Sequence, residues 1–401
     1  MHIVVAHNLY QQPGGEDAVF NAECELLEQS GHQVTRFTCT NADTASYSAL
    51  ALAASTLWNQ TQYQRVRTLL RAERPDILHV HNTLPLISPA IFYAAEAEGV
   101  PVVQMLHNYR PFCLNGVLYR DMHVCEDCIG RFPLPGVVHK CYRDSRGASA
   151  AILALFVLHH KLLRTYEEHV SLSITSTQFA KNLFVRMGLD GDKIVVKPNL
   201  VNIAKRDAQT PPFQNSMKPV FVGRLDNRKG VSTLLAAIEK TKTPLVLVGD
   251  GVLRPVVERW IAEHPELSVE ITGWLNVNEL SERFEGASML ILPSEFYESF
   301  GNVIVEAFSH GVPVITTDIG AQAELVVHQQ NGLVFPVGDA SALAHCIQLL
   351  QNDNDLRGRL GRNARMEYEE KYTPERNYEI LMQIYSQALH LNGKDTNGSH
   401  R

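Results

Sequence analysis

The 401-residue sequence has no uncharged apolar run of the roughly 18–20 residues that a helix needs to cross a bilayer. The longest candidate, Ala148–Leu158, is too short and reads as a buried or interfacial helix. The opening MHIVVAHNLY carries no basic stretch, long apolar core or cleavage site, so secretion is not expected and a cytoplasmic location is. There is no block of like charges, and the net charge is −7, which argues against broad nucleic-acid binding. No short tandem repeat is present. Cysteine is sparse, with seven residues, and without a leader these are expected as reduced thiols or metal ligands rather than disulfides.

What is present is length and a regular alternation. The chain is too long for one ordinary core and suits two domains. Short β-branched runs alternate with helix-like segments almost throughout. They are His2–Ala6, Val34–Thr38, Ile77–His81, Val100–Leu106, Ser171–Thr175 and Ile194–Lys197, then Val220–Arg224, Leu245–Val248, Val269–Thr272, Met289–Leu292, Val312–Thr316 and Leu333–Phe335. Continuously apolar strands imply a parallel sheet covered on both faces, and the strand–helix repetition predicts a doubly wound α/β fold. The polar segment 202–218, with Pro211 and Pro212, reads as a linker. It separates residues 1–201 from 219–373. A helix over 374–391 is expected to return to the first domain, and 392–401 reads as a frayed tail. Residues 107–147 form a Cys-, Arg-, Tyr- and His-rich insertion.

In the second half, PSEFYESFGNVIVEA follows a strand and carries Glu298 and Glu306. Between them Ser299, Phe300, Gly301 and Asn302 form a strand-to-helix junction. Free N–H groups at that helix start suit an anion, and a carboxylate on each side can accept from vicinal hydroxyls. Two solvated helix glutamates are the alternative. Upstream, FVGRLDNRKG places Arg224 and Lys229 just after Gly223 at a strand end, which suits a diphosphate as well as it suits two surface cations. Gly249 and Gly251 in VGDGVLRPVVE mark a tight turn. IGAQAELV sets Gly320 and Ala321 before Glu324.

In order and spacing these elements resemble the C-terminal domain of glycosyltransferase family 4. The pattern formed by Glu298 and Glu306 is that family's signature, and the resemblance covers nearly all of 218–370. It implies a GT-B architecture, two Rossmann-like doubly wound domains facing each other across a cleft. It also implies that Glu298 meets the donor sugar, Glu306 the ribose, and Arg224 and Lys229 the diphosphate, with the loop at Gly273–Trp274 near the base. Front-face transfer with retention, and no cofactor required for catalysis, follow from the same resemblance.

The first half has matching parts. YQQPGGEDAVF follows the first strand, and Gly14 and Gly15 allow close approach of backbone to a ligand while Glu16 opens a helix. This looks like the family's N-terminal glycine loop. DILHVHN places His79 and His81 on one face of a strand, where a metal pair is one reading, disfavoured for want of a supporting carboxylate. His81 and Asn82 lining the acceptor side, with Arg110, is the other. His107, at a strand's C-terminal edge in MLHNYRPFC, resembles the family histidine that contacts the donor sugar.

The insertion places Cys113, Cys125, Cys128 and Cys141 within thirty residues of one another, one C-x2-C pair flanked by two further thiols. They are numerous enough for a structural Zn²⁺ that staples a long loop, and reduced, buried cysteines are the alternative. The insertion resembles one carried by a subgroup of family 4 enzymes in bacterial surface-polysaccharide pathways. Ser149–Glu168 reads as a helix whose apolar stripe beside basic residues suits either a membrane surface or burial against the first sheet.

The expected function is therefore a retaining glycosyltransferase, moving a sugar from a nucleoside-diphosphate donor to a saccharide or lipid-linked acceptor, at the inner face of the cell membrane. A sugar-nucleotide epimerase or phosphorylase on the same fold, or a non-catalytic nucleotide-sugar-binding protein, are the rival readings.

Overall fold

The computed structural model describes residues 1–12, 14–203 and 218–393. Most of the expected linker and of the expected tail lies outside the described residues. The first eight strands are β1 (His2–Leu9), β2 (Gln33–Thr40), β3 (Ile77–Asn82), β4 (Val102–Met105), β5 (Tyr119–Arg120), β6 (His123–Val124), β7 (Leu172–Thr175) and β8 (Ile194–Val196). Strands β5 and β6 form an antiparallel hairpin, and the other six make a parallel sheet in the order β2-β1-β3-β4-β7-β8. The second sheet contains β9 (Lys218–Val222), β10 (Leu245–Val248), β11 (Val269–Gly273), β12 (Ala287–Leu292), β13 (Val314–Thr317) and β14 (Gly332–Phe335). It too is parallel, in the order β11-β10-β9-β12-β13-β14.

Side chains alternate across each strand, so each sheet feeds two apolar layers. Val220, Val222, Leu290 and Leu292 join one layer of the second sheet, while Phe221, Met289 and Ile291 join the other. In the first sheet, Leu78 and Val80 face one layer. Ile77 faces the opposite one, with Ile3, Val5, Phe20 and Leu27. Period-two spacing places His79 and His81 on the side of Ile77, where both are buried. Burying each such aliphatic or aromatic side chain contributes about 1.5–3 kcal/mol.

The chain divides into two compact units. The first is Met1–Leu118, Glu126–Leu200 and Pro374–Arg401; the second is Tyr119–Cys125 and Val201–Thr373. The helix Pro374–Leu391 belongs to the first unit because Leu381, Ile384, Tyr385 and Ala388 complete its apolar layer. The insertion is not wholly part of the first unit, as the sequence led one to expect. Its hairpin groups with the second, where the Tyr119 hydroxyl is pushed up by burial and by the neighbouring Glu295 and Asp226 carboxylates.

The expected helix Ser149–Glu168 is broken. An α-helix covers Arg146–Phe156, a π-helical turn covers Val157–Leu162, and Arg164 has φ 47° before the short helix Thr165–Glu168. Within the widened turn lies His159, whose buried ring bonds Thr165 Oγ1 at 2.8 Å and the Leu57 carbonyl at 2.9 Å. Such a turn takes one more residue between bonded groups than an α-helical turn does. No helix among the described residues is long and apolar enough to cross a membrane.

Candidate active site

In the second sheet the strand order reverses between β9 and β12, and open α/β sheets bind ligands beyond the strand ends at such a point. The loop after β9 carries Lys229 and the loop after β12 carries Glu298. Lys229 Nζ donates to Glu298 Oε1 at 2.5 Å, and Ser294 Oγ donates to the same oxygen at 2.6 Å. Glu298 Oε2 makes no hydrogen bond among the described residues, so it remains an acceptor for a ligand hydroxyl. Lys229 and Arg228 both lie over the Phe296 ring, at 5.3 and 5.6 Å, and Arg228 also pairs with Asp226 at 2.6 Å. The helix Asn302–Ser309 begins at Gly301, whose φ is 96° and which has no side chain to cap the first-turn N–H groups. A helix N-terminus carries a partial positive charge that suits an anion.

Two glycines make this juxtaposition. A Cβ at Gly230 would lie 1.9 Å from the Pro293 carbonyl oxygen. A Cβ at Gly320 would lie 3.0 Å from Tyr297 Cα and 3.3 Å from Glu298 N. The loop over Pro293–Glu298 is thus pressed from both sides. Gln322 Nε2 donates to the Phe296 carbonyl at 3.2 Å and Thr317 Oγ1 donates to the Ser294 carbonyl at 2.6 Å. By the same measure Gly249 and Gly251 are packing residues: a Cβ would strike Gly223 O at 2.0 Å and Leu225 O at 2.5 Å.

In the first unit the loop after β1 leads into the helix Gly15–Gln29. Gly14 N–H and Tyr10 N–H donate to the two oxygens of Asp17, at 2.8 and 3.1 Å, and His7 Nε2 lies 3.0 Å from Asp17 Oδ1. Glu16 accepts from Tyr10 OH at 2.9 Å and from Asn108 Nδ2 at 2.8 Å, joining this loop to the one after β4. Arg110 stacks over the Tyr10 ring at 5.7 Å. His107 Nε2 lies 2.9 Å from His81 Nδ1. The His107 ring borders a small cavity shared with Asn82, Gln104, Arg110 and Phe156.

Behind His81 is a sealed polar network. Lys197 Nζ donates to Glu23 Oε1 at 2.5 Å and to Asn377 Oδ1 at 3.0 Å, and His79 Nδ1 lies 2.7 Å from Tyr385 OH. Glu23, His79 and His81 offer ligand atoms within 4.8 Å of one another, so the carboxylate missing from the sequence argument for a metal pair is present. The Lys197 ammonium on that carboxylate already supplies its cation, and a second would be repelled.

Some expected roles need correction. His81 has a fully buried side chain; it lines the small cavity together with His107, whose Nε2 lies against its Nδ1. The Asn82 amide is spent on the Asn8 carbonyl at 3.0 Å and the Leu84 N–H at 3.0 Å, shaping a turn. Phe300 lies in the core with its ring 6.2 Å from that of Tyr372, leaving only its backbone for a ligand. Arg224 is exposed on its loop and makes no ion pair among the described residues, unlike Lys229. Gly223 and Ser299 lie in loops, Gly15 and Asn302 each open a helix, and Gly273 ends β11. Glu23, Lys197, Ser294, Arg228 and Gln322 went unnoticed in the sequence. Glu23 had a signal: it stands on the apolar stripe of Val19, Phe20 and Leu27, where a charge requires a partner.

None of the seven cysteines forms a disulfide. Cys113 is buried and its Sγ donates to Asn115 Oδ1 at 3.0 Å. Cys125 and Cys128 flank a turn closed by Ile129 N–H on the Glu126 carbonyl at 3.0 Å, and Cys141 follows the helix Pro135–Val138.

Residues 203–367 match the family described as "Glycosyl transferases group 1", and residues 13–205 match "Glycosyltransferase Family 4". Among curated relatives, O-antigen chain mannosyltransferase C of Escherichia coli is 29% identical over 172 residues, 42% of this chain and 46% of that protein. The chain spans about half the length of the curated relatives it matches. Among solved structures, sucrose-phosphate synthase of Thermosynechococcus elongatus aligns with a TM-score of 0.69 at 18% identity, covering 97% of this chain and 99% of that one. Anabaena HepE in complex with UDP aligns with a TM-score of 0.67 at 19% identity, covering 96% and 100%. At that identity the likeness establishes a shared fold, two parallel-sheet α/β domains of the GT-B type.

Glu306 makes a testable case of its own. Burial raises its carboxyl from 4.5 to about 7. The folded state therefore holds this proton more tightly than the unfolded state does. The resulting stabilisation is complete below pH 4.5 and is lost as pH rises through about 7. Glu306→Gln removes that dependence, so the fall in Tm from pH 5 to pH 8 should be smaller than in the parent protein. Superimposable Tm-against-pH curves would contradict the assignment.

Proposed function

We propose that this chain, a GT-B protein like those of glycosyltransferase family 4, transfers a sugar from a nucleoside-diphosphate donor to a saccharide or lipid-linked acceptor, with retention of anomeric configuration. The observation that carries this reading is the Lys229–Glu298 ion pair at the switch point of the second sheet, beside the Gly301 helix start. A diphosphate would take the Lys229 ammonium and the first-turn amides. Glu298, released from part of its pairing, would then accept from sugar hydroxyls, and Glu306 would meet the ribose. Arg224, exposed on its loop, would add a second cation. Such fixed charges stabilise a leaving diphosphate as it departs, and this is commonly the largest catalytic contribution. No metal cofactor is invoked for that step.

His107 is assigned to the donor sugar on the family's pattern, with Glu16 and Arg110 on the acceptor side. The name of the E. coli relative, an O-antigen mannosyltransferase, and the UDP bound to HepE favour a nucleotide-sugar donor and a surface-polysaccharide product. A lipid-linked acceptor would bring the protein to the inner face of the cell membrane, and the exposed Leu134, Val138 and Leu162 are the side chains that would touch it.

The test is transfer from nucleotide sugars to purified acceptor. Lys229→Ala, Glu298→Ala and His107→Ala should each lower kcat by about 10²–10³-fold while far-UV circular dichroism stays unchanged. Near-normal turnover by Lys229→Ala would contradict the mechanism.

The insertion's thiols are a separate proposal. By number and spacing in the sequence, Cys113, Cys125, Cys128 and Cys141 could supply the four thiolates of a structural zinc, which would tie the loop together when bound. Elemental analysis of protein purified without added metal should find about one zinc per chain, lost in Cys125→Ser/Cys128→Ser. Zinc-free protein with an ordered insertion would contradict this.

A further inference from the structure

We propose that Glu23 and Lys197, acting through His81, hold His107 in the tautomer protonated on Nε2, so that its Nδ1 is presented to a substrate hydroxyl as a hydrogen-bond acceptor. The functional consequence rests on the reading of His107 given above; the tautomer does not.

One chain of atoms, all inside the first unit, links Lys197 to His107. Lys197 is completely buried, and its three donors have three acceptors: Glu23 Oε1 at 2.5 Å, Asn377 Oδ1 at 3.0 Å and the Pro198 carbonyl at 3.2 Å. Burial alone would push the Glu23 carboxyl up, but the Lys197 ammonium and His81 outweigh it and hold it well below the usual range. An ionised carboxylate has no proton to give. Its second oxygen, Oε2, lies 3.3 Å from His81 Nε2; the contact falls outside hydrogen-bond geometry, and neither atom has another hydrogen-bond partner among the described residues. The proton between them must therefore be on His81 Nε2.

Burial also keeps His81 and His107 neutral, each below the usual imidazole range. A neutral ring carries one proton, so His81 Nδ1 is bare and accepts. Its neighbour at 2.9 Å is His107 Nε2, which must donate. His107 Nδ1 is then the bare nitrogen, and it makes no hydrogen bond among the described residues. Of the other rings around the chain, His7 bonds Asp17 through Nε2 and His79 bonds Tyr385 through Nδ1, while His7 Nδ1 and His79 Nε2 make no hydrogen bond among the described residues. None of them intercepts the His81–His107 bond.

A bare imidazole nitrogen accepts from a hydroxyl and repels a carboxylate. At this place the protein should thus favour a sugar bearing a hydroxyl over the corresponding uronate.

The positioning role has a signature that mere structural support lacks. In Glu23→Gln the carbonyl oxygen must face the Lys197 ammonium, which turns the amide NH2 toward His81 Nε2. That donor reverses every step, leaving His107 protonated on Nδ1. Long-range ¹H–¹⁵N correlation spectra of the full-length, histidine-labelled protein, with His107 identified through His107→Gln, read this directly. The expected result is His107 protonated on Nε2 alone in the parent protein and on Nδ1 in Glu23→Gln. His107 protonated on Nδ1 or on both nitrogens in the parent overturns the proposal, whether or not Glu23→Gln folds. An identical tautomer in the two proteins overturns it as well. Should His107→Ala retain full transfer activity while these spectra come out as expected, the catalytic reading fails and the relay stands.

Discussion

A lysine ammonium and a carboxylate held 2.5 Å apart at the reversal of a parallel sheet place the strongest constraint on this molecule. Neither charge is free in water, and each limits the rotamers of the other. The pair is only partly buried, so its net contribution to stability is small, on the order of 0–1 kcal/mol. Its consequence is positional. Lys229 comes from the loop after β9 and Glu298 from the loop after β12, and adjacent strands in one sheet bring them together. Gly230 and Gly320 then allow backbones to approach so closely that any side chain would force the loops apart. An anion arriving here meets charge already fixed in place and has only to share the Lys229 ammonium with Glu298.

Much of this was legible in the residues. All twelve strands of the two large sheets were visible as short β-branched runs; the central ones are apolar at successive positions because both their faces are covered, while the edge strands β2 and β11 are partly polar and partly exposed. The Glu298 and Glu306 spacing and the glycine between them were also legible, since a strand-to-helix junction has a local sequence signature. What escaped notice depends on distant partners. Lys197 and Glu23 lie 174 positions apart, and Lys197 and Asn377 lie 180 apart. Ser294 and Gln322 look like ordinary polar residues until the loops they brace are folded. Helix continuity through 149–168 failed as well, and the widened turn holds His159, whose ring bonds the distant Leu57 carbonyl.

The two units spend their buried charges differently. In the second, charge is left within reach of solvent: Lys229 is partly exposed and Arg224 is exposed. In the first, the ammonium of Lys197 is sealed and fully satisfied, and the helix Pro374–Leu391 closes the seal with Asn377 and Tyr385. A sealed pair of this kind is costly to break, because removing one partner leaves the other charged in a dry interior. It suits a fixed reference for a neighbouring ring rather than a group that exchanges with substrate.

Titration calorimetry of nucleoside diphosphates tests the central claim most directly, because it needs neither acceptor nor sugar. If Lys229 is held ready for a diphosphate, UDP, GDP or ADP binds the parent protein, and Lys229→Met weakens that binding by about 10–100-fold, the worth of one charge-assisted hydrogen bond. Unchanged affinity in Lys229→Met, or no binding of any nucleoside diphosphate, would contradict the account.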